Sequence, residues 1–296
     1  MYIARCYELF LTDRKITGCS KATIRFYEYV IGKLLRFIEE NNIDSPVESI
    51  HQHILPFFSH LQQQNLSAST YHTLFRGLRA FTRFLHQEGY VKDEIRLPKV
   101  KQPHTTISPL NPSQMKTILH SFDTKTYLNL RNYTIIRLFL DTGMRLSELS
   151  QLQLNEVNLE EGFVLVHGKG AKDRYVPIGR STTKCLWNYI KKRAVIDVNT
   201  NSYLFLTQRG TTLSARGVQI VFRSLKKKLN LDGRKLSPHL LRHSFALAYI
   251  ENGGDPFSLQ RILGHTDQTT TSKYVNMART NVKSQHSKYS PGERLK

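Results

Sequence analysis

The sequence is poor in cysteine, in acidic residues and in long apolar runs. It has three cysteines in 296 residues, Cys6, Cys19 and Cys185, widely spaced and without a Cys-x-x-Cys pair. This pattern predicts a reduced, intracellular protein without a disulfide framework or a cysteine-based zinc site. No apolar run approaches the roughly 20 residues that a membrane helix needs, and the first residues lack the cleavage pattern of a signal peptide. We therefore expect a cytoplasmic protein that makes no use of a membrane.

Two common cofactor motifs are also missing. The sequence contains no Gly-x-x-x-x-Gly-Lys-(Ser/Thr) loop, so nothing indicates a bound nucleotide. It contains no His-Glu-x-x-His motif. His239 and His243 lie four residues apart but have no obvious third ligand, which makes a zinc site a poor interpretation. We predict neither a cofactor nor a metal.

Positive charge is abundant and unevenly distributed. The chain has 43 Lys and Arg against 23 Asp and Glu, a formal net charge of +20. Residues 1–95 hold 11 basic and 10 acidic residues, whereas residues 96–296 hold 32 and 13. Such an excess predicts a polyanionic partner, most simply nucleic acid. A basic enzyme of another kind or a ribosome-associated protein is the alternative that charge alone leaves open.

Residues 1–95 have the pattern of a helical domain. Apolar residues recur at helical spacing from Ser20 to Asn41 and again after Ser67, a plausible N-cap. Pro46 and Pro56 are expected to bound a shorter helical piece. The second long helix also carries a row of arginines away from its apolar stripe: Arg76, Arg79 and Arg83. This row is either a solvated face or a contact with phosphates.

A proline-rich basic segment, residues 96–110, predicts a linker between two domains. Four prolines fall between Pro98 and Pro112, and proline removes backbone donors and restricts the residue before it. From residue 111 onward we predict helices around a strand-rich stretch at 155–178. The fold class is thus mainly α with a small β-sheet, with domains at 1–95 and 111–296 and a tail at 278–296.

The chemistry-bearing residues lie in the second domain. Ser237 and Pro238 are typical of a helix start, which places His239 and Arg242 on one face near an anion-attracting helix N-terminus. Gly143 permits a tight bend that would turn Arg145 inward. Gly168-Lys169-Gly170 places a lysine at a hairpin tip. Each signal is weak alone, because a capped histidine, an exposed arginine and a turn lysine are ordinary features.

Taken together, these residues resemble the tyrosine recombinases, the phage-integrase and Xer-like family of site-specific DNA recombinases. The matching segments are Thr-Gly-Met-Arg145-Leu-Ser-Glu148-Leu, Gly-Lys169-Gly, His239-Leu-Leu-Arg242-His-Ser-Phe-Ala, Leu-Gly-His265 and Tyr274, in family order and spacing. Val275-Asn276-Met277 departs from relatives that have a histidine two residues after the tyrosine. The resemblance covers almost all of 111–278 and, more loosely, the N-terminal domain, which it implies is the SAM-like core-binding domain.

The resemblance implies a role for each residue. Tyr274 would attack a DNA phosphodiester and form a 3′-phosphotyrosyl bond. Arg145 and Arg242 would clamp the phosphate. Lys169 would protonate the leaving 5′-oxygen, His239 would assist proton transfer at the tyrosine, and His265 would hydrogen-bond the phosphate. Glu148 would support an arginine. Tyr175 and Tyr249, two of the other tyrosines, lie in patterns that suggest the core.

The resemblance also implies partners: double-stranded DNA core sites and a homotetramer on synapsed DNA, in the bacterial cytoplasm and nucleoid-associated when bound. The tail at 278–296 would dock on a neighbouring subunit. The candidate DNA contacts are Arg76, Arg79, Lys172, Arg174, Arg216 and Arg223. The biological task would be integration or excision of a mobile element, toward which the tail sequence leans, or resolution of dimers. Two other functions stay open: DNA relaxation by a type IB topoisomerase-like enzyme, and a catalytically silent DNA-binding protein.

Overall fold

The computed structural model describes residues 1–41, 43, 46–97, 108–168, 173–197, 201–229, 236–265, 268–278 and 282–292, the side chains of 268–270 and 282–285 excepted. The chain divides into two compact units, Met1–Thr106 and Ile107–Lys296. Both units are mainly helical and the second contains a small antiparallel sheet. The predicted fold class, mainly α with a small β-sheet, is confirmed. Within the described ranges, no helix is long and apolar enough to cross a membrane.

In the described part of the first unit, the α-helices are α1 Ile3–Ile16, α2 Lys21–Glu40, α3 Ile50–Gln63 and α4 Ala68–Gln87. The two long helices begin where the sequence predicts, because Ser20 and Ser67 accept hydrogen bonds from the backbone of the first turns. Gly77 of α4 lies so close to α2 that a Cβ atom there would be 2.7 Å from a Val30 methyl group. The core of the first unit contains a group of aromatic rings, in which Phe10 makes edge contacts with Phe81 and two other rings.

Pro56 does not bound a helical piece as expected. It lies inside α3, which runs from Ile50 to Gln63. A proline within a helix costs about 3 kcal/mol because it removes one backbone hydrogen bond and crowds the preceding turn. Buried side chains on the same helix, among them Ile54, Phe57 and Leu61, hold it in the core and offset that cost.

The second unit begins with α5 Pro112–His120, α6 Tyr127–Thr142 and α7 Leu146–Gln151. A short 3-10 helix, Leu154–Glu156, leads into β1 Val157–Asn158, β2 Phe163–Val166 and β3 Arg174–Pro177. The remaining helices are α8 Arg180–Ile196, α9 Ala215–Lys228, α10 Pro238–Glu251, α11 Pro256–Leu263, α12 Gln268–Met277 and α13 Val282–Tyr289. Most of the predicted linker, residues 98–107, lies outside the described residues; α5 follows with a capping box made by Asn111 and Gln114.

The sheet is antiparallel in the order β1-β2-β3, with Val164 opposite Val176. Val164, Val166 and Val176 are buried. Because successive strand residues face opposite sides, Tyr175 points to solvent and is 67% exposed. The expectation that Tyr175 belongs to the core is therefore wrong. Tyr249, by contrast, packs half-buried against a small cluster formed by α10, α11 and α12.

Candidate active site

Arg242 is the most deeply buried of the predicted site arginines. Ser237 caps α10 and Pro238 occupies its first turn, as predicted, which places Arg242 on the second turn with 6% of its surface exposed. Its guanidinium donates to the carbonyl oxygens of Gly143 at 2.7 Å and Leu263 at 2.8 Å. Burial, followed by the charge of Arg145, lowers the pKa of Arg242 to about 10. The side chain therefore remains a cation at neutral pH.

Gly143 is the bend that joins α6 to this site. It ends α6 with φ +60, a left-handed conformation that glycine adopts without strain. A Cβ atom at this position would lie 2.4 Å from Cδ1 of Phe245 and 2.7 Å from Cδ2 of Leu263. The missing side chain thus lets α6, α10 and α11 meet. Two residues later, Arg145 is at the N-cap position of α7.

The C-terminal end of α11 gathers three arginines. The carbonyl oxygen of Ile262 accepts from Nε of Arg174 at 2.7 Å. The next two carbonyls, of Leu263 and Gly264, accept from Arg242 at 2.8 Å and from Arg145 at 3.2 Å. These carbonyls have no partner within their own helix and lie at its negative end, where cations are favoured. One helix terminus therefore brings together side chains from β3, α7 and α10.

Gly264 makes this convergence possible. It has φ +64 and ends α11, and the amide of His265 donates back to Gln260 in a Schellman arrangement. A Cβ atom on Gly264 would lie 3.0 Å from Nη1 of Arg174. In the Leu-Gly-His segment, Leu263 is thus the last residue of α11 and Gly264 leaves room for the side chain of Arg174. His265 follows them.

Glu148 is the acidic partner of two of the arginines. Arg174 donates to both of its carboxylate oxygens, at 3.0 and 2.9 Å. Arg145 donates its backbone amide at 2.7 Å and its guanidinium at 2.8 Å. Only 5% of the Glu148 side chain is exposed. Burial alone would raise the pKa of Glu148, but the hydrogen bonds from Arg174 and Arg145 outweigh it and hold the pKa below its usual value.

His265 follows directly after the arginine cluster. Its Nδ1 lies 2.9 Å from the hydroxyl of Thr271, which is buried. Burial, then the charges of Arg242 and Arg145, lower the pKa of His265 to about 4. The ring is therefore neutral at physiological pH, with one nitrogen that donates and one that accepts.

Tyr274 is buried on α12, with 4% of its surface exposed. Its hydroxyl lies 2.5 Å from Nδ1 of His243, the residue after Arg242. Burial raises the pKa of Tyr274, and the charge of Arg242 partly opposes this. The phenol is therefore protonated at neutral pH and in contact with a histidine.

His243 is a partner of the tyrosine that the sequence pattern does not indicate. The family resemblance gives the role at Tyr274 to His239, whose ring is exposed on the first turn of α10. Within the described residues, the ring of His239 makes no hydrogen bond. No local signal distinguishes the two histidines, because both lie on α10 and the packing of α12 decides which ring meets the tyrosine.

The remaining predicted residues fall into two groups. Arg174, predicted to contact DNA, instead lies on Glu148 and Ile262 with 12% of its side chain exposed, because its position at the start of β3 faces α11. Arg76, Arg79, Arg216 and Arg223 are exposed, the first pair on α4 and the second on α9. Lys169 and Lys172 lie outside the described residues, as does the turn that carries them.

The base of that hairpin is held by an ion-paired histidine. His167, directly after β2, lies 2.8 Å from Asp173 and 2.7 Å from Glu156 through its two ring nitrogens. Hydrogen bonds to Asp173 and then to Glu156 raise the pKa of His167. The histidine therefore joins both strands of the hairpin to the 3-10 helix that precedes the sheet.

Charge is the main chemical property of the assembled site. Three guanidinium groups, of Arg145, Arg174 and Arg242, meet at the end of α11, and within the described residues the carboxylate of Glu148 binds the first two of them. Each guanidinium has five donors, and the hydrogen bonds of Arg145 and of Arg242 within the described residues use two donors of each. The site therefore has positive charge and donors to spare for an anion. Across the described ranges, no group of three His, Cys, Asp or Glu side chains could hold a metal ion.

Comparison with known proteins identifies the family. Residues 109–281 match the phage integrase family, and residues 7–90 match the phage integrase N-terminal SAM-like domain. The chain is 32% identical over 297 residues to tyrosine recombinase XerC of Bacillus pumilus (strain SAFR-032), covering 97% of this chain and 96% of the relative. It is 31% identical over 281 residues to tyrosine recombinase XerD of Staphylococcus epidermidis (strain ATCC 35984), covering 93% and 94%.

Solved structures share the fold. The Tn1549 transposon integrase, residues 82–397, in complex with circular intermediate DNA superposes with a TM-score of 0.72 at 23% identity, covering 96% of this chain and 98% of that one. The two Xer recombinase relatives favour recombination over DNA relaxation or silent DNA binding. The chain belongs to the phage integrase family and is a tyrosine-type site-specific recombinase.

Proposed function

We propose that this recombinase cuts and rejoins double-stranded DNA at short core sites through a covalent bond between Tyr274 and a 3′-phosphate. The observation that carries the proposal is a buried Tyr274 hydroxyl that feels the charge of Arg242. The end of α11 gathers Arg242 with two arginines that share the carboxylate of Glu148. A phosphodiester is the anion that fits such a cluster, because guanidinium groups match phosphate oxygens in geometry and charge. Attack by tyrosine would release a 5′-hydroxyl and conserve the energy of the broken bond.

The arginines would stabilise the charge that develops on the phosphate. Arg145 and Arg242 keep donors beyond those that bind backbone carbonyls, and these would bind the non-bridging oxygens in the transition state. Where the hydroxyl of Thr271 donates to Nδ1 of His265, the proton of the neutral ring lies on Nε2, from which it would be donated to a phosphate oxygen. Glu148 and Arg174 would keep Arg145 in place.

Proton transfer completes the proposed reaction. The family resemblance assigns Lys169 to protonation of the leaving 5′-oxygen, and it assigns His239 to the proton of the tyrosine. In the sequence, Lys169 falls between β2 and β3, outside the described residues. With these groups, the chemistry needs no cofactor.

DNA contact outside the active site would involve exposed arginines of both units. Arg216 and Arg223 lie on the outer face of α9, and Arg76 and Arg79 on that of α4. Replacing Arg216 and Arg223 by glutamine should weaken binding to any DNA sequence and reduce the slope of log K against log salt by about 2, because each lost phosphate contact releases roughly one fewer counterion. An unchanged slope would remove this helix from the interface.

We also propose that the chain acts as a homotetramer on two synapsed core sites in the bacterial cytoplasm, associated with the nucleoid when bound. The tail at 278–296, which includes α13, would dock on a neighbouring subunit. Removing residues 280–296 should weaken synapsis more than binding to a single site. Equal recombination by the shortened chain would contradict this role.

Tyr274→Phe tests the proposed function most directly. Incubation with nicked DNA and denaturation should trap a covalent protein–DNA adduct with the wild-type chain and none with the variant. Tyr175→Phe is the matched control, because Tyr175 is an exposed tyrosine of the same unit, and its adduct should match that of the wild type. Sequencing DNA from the adduct would give the core site. An adduct that survives in Tyr274→Phe would exclude Tyr274 as the nucleophile.

A further inference from the structure

We propose that His243, rather than His239, takes the proton from the Tyr274 hydroxyl when the strand is cut. This inference rests on the proposed function, since it concerns the same cleavage step. It assigns a catalytic role to a residue outside the set that the sequence pattern picked out.

Contact is the first argument. Nδ1 of His243 lies 2.5 Å from the phenolic oxygen of Tyr274, and the two ring centroids are 5.7 Å apart. A group that removes a proton in the transition state must reach that proton directly or through one water molecule. His243 meets this condition already, whereas the exposed ring of His239 makes no hydrogen bond within the described residues.

Burial supplies the second argument. Tyr274 is 4% exposed and His243 is half-buried, so little water can accept the proton in their place. The two helices that carry them, α10 and α12, pack together with Ala246 and Ile250 in one small core cluster. The histidine and the tyrosine are therefore held as a pair by the core of the unit.

The charges around His243 favour a neutral ring that accepts a proton. On α10 it faces His239 and Arg242, on α12 Lys273, and after α11 His265. Burial and then His239, Arg242 and Lys273 lower the pKa of His243. At neutral pH the ring is thus uncharged, and its Nδ1 accepts from the phenol. Arg242 next to the pair stabilises the phenolate as the proton leaves.

The step is balanced without further reactants. The phenolic O–H bond of Tyr274 breaks and its proton moves to Nδ1 of His243, while the phenolate oxygen forms a bond to phosphorus. The bond from phosphorus to the 5′-oxygen breaks, and the oxygen keeps the electron pair of that bond. It receives a proton from Lys169, the general acid proposed above. In rejoining, the 5′-hydroxyl gives its proton back to Lys169 and attacks phosphorus. The bond from phosphorus to the oxygen of Tyr274 breaks, and the leaving phenolate recovers its proton from His243.

The test uses His243→Asn, because asparagine can still accept a hydrogen bond but is not a base. Covalent adduct formation on nicked DNA is measured from about pH 5.5 to pH 9. The wild-type rate should fall at the acidic end as His243 becomes protonated. His243→Asn should lose that limb and react about 10²- to 10⁴-fold more slowly, the range for general acid–base catalysis. His120→Asn, an exposed histidine of the same unit, is the matched control and should keep the wild-type profile.

A second measurement separates a base from a structural contact. A fluorinated tyrosine at position 274 has a more acidic phenol and needs less help from a base, so it should restore part of the rate of His243→Asn. A merely structural contact predicts no such recovery. Loss of the acidic limb in His239→Asn with its retention in His243→Asn would overturn the inference, while Tyr274→Phe reports separately on the proposed function.

Discussion

Glu148→Gln tests whether one buried carboxylate holds the arginine cluster together. The carboxylate accepts two hydrogen bonds from Arg174 and two from Arg145, including the backbone amide. Glutamine keeps the shape of the side chain but offers one acceptor oxygen, and its amide group places donors against the donors of an arginine. Arg174, 12% exposed, would then lose its only carboxylate among the described residues.

The magnitude follows from the burial of Glu148, whose side chain is 5% exposed. Removing one partner of a buried ion pair costs about 3 to 5 kcal/mol, because the other charge is left without compensation. For a unit of this size each kcal/mol lowers Tm by roughly 2 to 4 °C. With the lower value of about 3 kcal/mol, we expect Glu148→Gln to lower the Tm of the second unit by about 6 to 12 °C.

The pH dependence of this difference has a defined sign. The pKa of Glu148 is depressed in the folded state, by hydrogen bonds from Arg174 and Arg145 that outweigh burial. Its stabilising contribution is therefore complete above the unfolded pKa of about 4.3 and is lost as the pH falls through the lower folded pKa. The gap in Tm between wild type and Glu148→Gln should be present at pH 7 and shrink in acid.

Calorimetry and the adduct assay together measure the effect. Glu161→Gln, an exposed glutamate of the same unit, is the control and should leave both Tm and the rate unchanged. Glu148→Gln should also slow adduct formation, since Arg145 would no longer be held toward the phosphate. A variant that melts within about 1 °C of wild type and reacts at the full rate would refute the role given to Glu148.

Two further changes test other parts of the site. Gly264→Ala should destabilise the second unit by at least about 1 kcal/mol from its left-handed conformation and should also slow cleavage, since the new methyl group would lie 3.0 Å from Arg174. Gly89→Ala is the control: it has the same conformational cost at φ +73, but its new methyl group would have no atom within 4 Å. If Gly89→Ala slowed cleavage as much as Gly264→Ala, crowding of Arg174 would not be the cause. His167→Asn should lower Tm at pH 6 and have little effect at pH 9. The flanking carboxylates raise the pKa of His167, and the stability that a protonated His167 contributes is lost as the pH rises through the folded pKa. A difference in Tm that does not change with pH would exclude the ion pair.

Local signals in the sequence were sufficient to predict where several helices begin and which residues form much of the candidate site. Ser20, Ser67 and Ser237 are N-caps whose side chains bind the first turn, so the helix starts follow from short-range chemistry. Gly143 and Gly264 occupy left-handed positions that only a glycine fills without strain. Motif spacing in turn named Arg145, Arg242 and Tyr274, which the structure brings to one region.

Partner choice could not be read from the sequence, because it depends on how distant elements pack. His239 and His243 lie one turn apart on α10, and only the position of α12 shows that His243 meets the tyrosine. Arg174 has the sequence context of a DNA contact, yet β3 places it beside α11 and Glu148. Tyr175 reads as core in isolation, but the buried face of β3 is set by its neighbour Val176.

The end of α11 explains how the site stays assembled before an anion binds. Like charges at close range repel: burial lowers the pKa of Arg242 first, and the charge of Arg145 lowers it further. Three consecutive carbonyls at a helix C-terminus, with the one carboxylate of Glu148, supply enough negative potential to hold three arginines together. Carbonyl dipoles offset the repulsion without cancelling the charge, so the cluster remains attractive to phosphate. A second carboxylate in their place would hold the arginines as well but would repel the substrate.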